Sequence, residues 1–107
     1  MAPSGMNPEM MKQLQALQGK IAKAQQAMEE KTIEASSGGG AVAVVMNALP
    51  KLKSITIQPE VVDSSDVEML QDLVLTAMNE ALEQARAIQM QQLAGVAGGL
   101  NIPGLTS

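Results

Sequence analysis

The 107-residue sequence contains no phenylalanine, tryptophan or tyrosine, no cysteine and no histidine, and each absence removes a class of chemistry. Without cysteine there are no disulfides and no thiolate nucleophiles; without histidine there is no imidazole base, and with both missing the usual transition-metal ligands are gone. Arginine is reduced to Arg86 alone. No apolar stretch approaches the roughly 20 residues of a membrane span, and the first residues lack a basic region followed by an apolar core. The expectation is a soluble cytoplasmic protein without metal, cofactor, membrane or small-molecule substrate.

What remains is small and aliphatic. Apolar residues make up 46% of the chain, and any core must be built from Leu, Ile, Val, Ala and nine Met. Methionine adapts to irregular gaps and suits helix interfaces as well as interiors. A monomer of this length buries only about two thirds of its unfolded surface, so a second copy would help it.

The net charge of −4 disfavours a polyanionic partner, but the distribution is uneven. Residues 1 to 31 carry four lysines against three glutamates; the remainder carries three basic against eight acidic residues. Between Met10 and Met28 stand Lys12, Lys20 and Lys23 with no acid, which makes this segment the natural meeting point for phosphates.

Residues 1 to 8, with Pro3, Gly5 and Pro8, read as a flexible leader, Pro8 being tolerable in a first helical turn. Residues 9 to 93 read as a single domain. Met10, Leu14, Leu17, Ile21, Ala24 and Met28 have heptad seam spacing on a first helix. Lys12 and Lys23 fall within about 20° of each other, well away from that seam, with Lys20 on the flank between. From Lys31 onward, "KTIEAS", "AVAVVMNA" and "LKSITI" alternate as strands, with Ile33 and Ala35, Val42, Val44 and Met46, and Ile55 and Ile57 on their apolar faces. Their short connections require antiparallel neighbours in a three-stranded meander.

Gly38 to Gly40 pose a choice between a phosphate-binding loop and a hairpin. A Walker-type loop needs Lys and Ser or Thr after its last glycine, then a helix; here "AVAVV" follows, so the glycines supply turn conformations. "NALPKL" is the second turn. Ser65, three residues before Glu68, has capping-box spacing and predicts a second helix from about Asp66 to Leu93. Its apolar face comprises Leu70, Leu73, Val74, Ala77, Ala81, Leu82, Ala85 and Ile88. Gly95, Gly98, Gly99 and Pro103 then mark residues 94 to 107 as a Gly-rich mobile tail. The carboxylate pairs Glu80 with Glu83 and Asp63 with Asp66 lack any implied nucleophile, pocket or cationic partner, and no enzyme is expected.

Four stretches, in this order, resemble the bacterial YbaB/EbfC nucleoid-associated proteins: "MMKQLQALQGKIAKAQQAMEE", "SSGGGAVAVVMNA", "ITIQPEVVD" and "VEMLQDLVLTAMNEALEQA". They span roughly residues 10 to 85. The chain departs from the usual pattern at Ala48, where members often have Gly, and at Gln58, where Asp is frequent. The resemblance implies an α+β homodimer, helix, three-stranded antiparallel meander, helix, with projecting helical arms. It also implies double-stranded DNA as the partner and a contribution to nucleoid organisation and gene regulation. Lys12, Lys20 and Lys23 are the candidate DNA contacts, with Lys31 and Arg86 as secondary candidates. Backbone electrostatics and DNA shape are the expected mode, because base reading would call for more arginine. The competing expectation is a dimeric protein–protein adaptor whose Met-rich surface binds a partner helix, with incidental DNA affinity.

Overall fold

The computed structural model describes residues 7–98. Helix α1 (Pro8–Glu30) is followed by strands β1 (Ile33–Ser37), β2 (Val42–Met46) and β3 (Leu52–Ile57), a 3-10 turn (Pro59–Val61) and helix α2 (Val67–Gly98). The sheet is an antiparallel meander in the order β1-β2-β3, as the short connections require.

Local chemistry sets the boundaries of α1. Asn7 Oδ1 accepts the N–H of Met10 at 2.8 Å, which satisfies one of the free donors of the first turn, and Pro8 occupies a position where no donor is needed. Helical structure therefore begins inside the segment read as leader. At the other end the Lys31 N–H closes on the Ala27 carbonyl at 3.1 Å and the chain turns extended.

Gly38, Gly39 and Gly40 have φ of 60°, 67° and 94°, a region that favours glycine, and the turn is closed by the Gly40 N–H donating to the Ser37 carbonyl. The hairpin reading holds. The β2 to β3 connection is organised by Asn47, which is buried and whose Oδ1 accepts the N–H groups of Leu49 (3.0 Å) and Lys51 (2.7 Å). The Leu49–Pro50 peptide bond within it is cis.

The core lies between α2 and the first two strands. Ile33, Ala35, Val42, Val44 and Met46 alternate inward as expected, and α2 meets them with Ala77, Ala81 and Ala85. Residues this small let the helix axis approach the sheet closely, and Leu70, Leu73, Val74 and Ile88 close the flanks.

Four expectations require correction. Ser65 does not cap α2: its N–H and hydroxyl both donate to Asp63 Oδ1, and Asp66 Oδ1 instead accepts the N–H of Met69. Leu82 is not on the core face but is 36% exposed, because it lies about 100° around the helix from Ala81. The apolar alternation of β3 is present in register, yet every residue of the strand is exposed. Finally, α2 does not stop near Leu93 but continues through Gly98. Gly95 and Gly98 each weaken a helix by about 1 kcal/mol, and Val96 between them is half-buried and lines the groove facing α1. The rest of the segment read as a tail, and residues 1–6 of the leader, lie outside the described residues.

Candidate nucleic-acid interface

The C-terminal half of α1 packs beside the last turns of α2, so the two helices form an antiparallel arm that extends beyond the sheet. Ile21, Ala24 and Met28 of α1 face Gln89, Leu93 and Val96 of α2 across an apolar groove of about 430 Å³ that Leu49 closes at its base. Two further bonds tie the base of the arm. The Ala48 N–H donates to the Met28 carbonyl at 2.9 Å, and Gln89 Nε2 donates to the carbonyls of Ala48 (2.8 Å) and Leu49 (3.2 Å). Sequence reasoning missed this junction. The turn-forming habit of asparagine was a signal for Asn47, but nothing in the sequence marked Gln89.

Lys12, Lys20 and Lys23 are all exposed on α1. Lys12 and Lys23 are 11 residues apart, or about 16 Å along the helix at 1.5 Å per residue. Ala16 and Gly19 lie on the same side of the helix between them, leaving a low surface from which the lysine stems rise. The seam residues Met10, Leu14 and Ile21 face the other way and are also exposed, because α2 ends before it could cover the first turns of α1.

The secondary candidates have a different setting. Lys31 is exposed at the C-terminus of α1, next to the exposed carboxylates of Glu29 and Glu30. Arg86 lines a shallow depression on α2 together with Glu80 and Glu83, so a phosphate arriving there would meet two like charges.

The molecule is elongated, measuring 69 Å along its long axis, and its charge is unevenly spread. Between Lys53 and Arg86 the chain carries seven carboxylates and no cation. Asp66, Glu68 and Asp72 gather around Ser37 and Gly38 at the glycine hairpin, the end remote from the arm. Asp63, beside them in sequence, is held below its ordinary carboxyl range by hydrogen bonds from the side chain and backbone of Ser65. Negative potential is therefore concentrated around this hairpin, away from the lysines of α1. Among the described residues no helix is long and apolar enough to cross a membrane.

Comparison with known proteins identifies the family. Residues 3–100 match the YbaB/EbfC DNA-binding family. The chain is 51% identical over 96 residues to a nucleoid-associated protein of Alkaliphilus metalliredigens, covering 90% of this chain and 84% of the relative. It is 48% identical over 101 residues to a nucleoid-associated protein of Syntrophobacter fumaroxidans, covering 94% and 90% respectively. The fold is shared with the crystal structure of the uncharacterized protein HP0035 from Helicobacter pylori, with a TM-score of 0.74 at 21% identity, over 88% of this chain and 99% of that one. The family match and the close relatives agree: the chain belongs to the YbaB/EbfC DNA-binding family.

Proposed function

We propose that the protein binds double-stranded DNA as a homodimer, through Lys12, Lys20 and Lys23 of each α1, and thereby contributes to organising the bacterial nucleoid and regulating genes. The observation that carries this reading is the row of exposed lysines on α1, which holds no acid between Met10 and Met28, set apart from the cluster of Asp66, Glu68 and Asp72 at the glycine hairpin. Three lysines on one helix are few for a DNA-binding surface; a twofold axis doubles them to six. Contacts of this kind are made to the phosphate backbone, so sequence selectivity comes from groove width and bendability rather than from base edges. Lys31 can add to the ridge only after its neighbouring glutamates are outweighed, and Arg86 contributes least.

Mobility-shift titration across salt concentrations tests the reading. Six phosphate contacts give a slope of log K against log[salt] of about −5. Absence of binding at low salt, or binding indifferent to salt, would overturn it.

The adaptor reading keeps one specific support, the apolar groove between α1 and α2, which is lined by glutamines rather than charges. It requires that a Lys12, Lys20, Lys23→Ala triple variant retain full activity in cells.

A further inference from the structure

Gly19 stands in the middle of α1, and its own surroundings do not explain it. Among the described residues, positive φ values are confined to Gly38, Gly39 and Gly40, so the backbone at position 19 does not call for glycine. A Cβ there would meet nothing within 4 Å, so close packing does not call for it either. What glycine does at such a position is weaken the helix relative to alanine.

Its place along α1 gives that weakness a meaning. On the C-terminal side the helix is held: Ala24 is buried, Met28 is half-buried, and both line the groove shared with α2. On the N-terminal side the support runs out. Ile21 is the first α1 residue of that groove, Leu17 is half-buried, and residues 7–16 are all exposed, Met10 and Leu14 at 45% each. The Asn7 cap secures the first turn, but the turns between it and Gly19 rest on their own backbone bonds. Helices shorter than about 12 to 15 residues are marginal in water when nothing packs against them, and residues 8–18 fall below that length. Gly19 therefore sits where the held part of α1 gives way to the unsupported part.

We propose that Gly19 is a positioning residue for DNA: it uncouples residues 8–18 from the rest of α1, so that this segment unwinds readily in the free protein and completes the helix when Lys12 meets a phosphate. This rests on the lysine reading proposed above and adds that the three cations are unequal. Lys20 and Lys23 stand on the held side and are presented ready-made, whereas Lys12 is delivered by ordering. The fraction of arms already wound then enters the affinity directly, because only a wound arm offers all three lysines.

Hydrogen exchange on the intact protein, with DNA titrations of Gly19→Ala, tests this. In the parent, amides of residues 12–18 should exchange at least about tenfold faster than those of residues 24–28, and a bound duplex should slow them. Gly19→Ala should slow exchange at 12–18 by about fivefold and tighten DNA binding by about two- to fivefold per engaged arm. The salt slope should stay as it is, because no phosphate contact is added. A residue that only stabilised the fold would raise affinity whichever lysine is present, so the gain is measured again in Lys12→Gln and Lys23→Gln backgrounds. It should vanish in the first and persist in the second. Equal protection on the two sides of position 19 overturns the unwinding. Slower exchange in Gly19→Ala without tighter binding overturns the positioning role, as does a gain that survives Lys12→Gln. A parent that binds no DNA removes the lysine reading and the positioning role with it, and the exchange pattern then decides the unwinding alone.

Discussion

The salt dependence of DNA binding tests both which lysines touch phosphate and how many copies of each are present. Each neutralised phosphate contributes about −0.9 to the slope of log K against log[salt], so six lysines give about −5. Replacing Lys23 by Gln removes one cation from a chain but two from a dimer, so the slope should weaken by about 1.8 rather than 0.9. Doubling the salt then costs the parent roughly 40-fold in affinity and the variant only roughly 12-fold. Lys12 and Lys20 should each give the same step, because all three side chains are exposed on α1. Lys53, on β3, should leave the slope unchanged. The assay is fluorescence anisotropy with a short labelled duplex at four or more salt concentrations. Steps near 0.9 would mean that only one ridge grips the DNA, and unaltered slopes for all three variants would refute the assignment of the ridge.

Three other expectations concern the scaffold. Asn47→Ala leaves the N–H groups of Leu49 and Lys51 without their shared acceptor and should destabilise the protein by about 2 kcal/mol, read as a lower denaturant midpoint at unchanged slope. Gly38→Ala should cost more than Gly39→Ala: both force a side chain into positive φ, at about 1 kcal/mol, but a Cβ on Gly38 would also lie 2.8 Å from Leu73 Cδ2, whereas Gly39 faces open space. Equal losses in denaturation would sink that distinction. Asp63 should titrate below its ordinary value of 3.8, and Ser65→Ala should move it upward, as followed by carboxyl NMR shifts. A carboxyl whose folded pKa is depressed stabilises the fold above the unfolded value, so this contribution is present at neutral pH and fades as pH falls below about 4.

The sequence disclosed those parts of the molecule whose cause is local. The seam of α1, the alternation of β1 and β2 and the glycine hairpin each follow from periodicity or backbone freedom within a few residues, and each stands where expected. The exposure of Lys12, Lys20 and Lys23 was legible for the same reason. The strand β3 was recognisable, but its uncovered face was not, because coverage depends on where α2 crosses the sheet. Capping of α2 was ambiguous between Ser65 and Asp66, adjacent residues that both have side chains suited to the role; the competing bond from Ser65 to Asp63 decided it. The end of α2 was misread because Gly95 and Gly98 signal termination locally, while the groove against α1 that retains Val96 is formed by residues some 70 positions away.

The bonds around residues 47–51 have a mechanical consequence for the cationic surface. Met28 and Gln89 fasten both helices of the arm to one small loop, which acts as an elbow. From Met28 to Pro8 the first helix extends about 30 Å, so a tilt of about 10° at the elbow swings its tip by roughly 5 Å. That is close to the width of a minor groove, about 6 Å. In the proposed homodimer, the gape between the two first helices is therefore set by the stiffness of a loop about 30 Å from their tips.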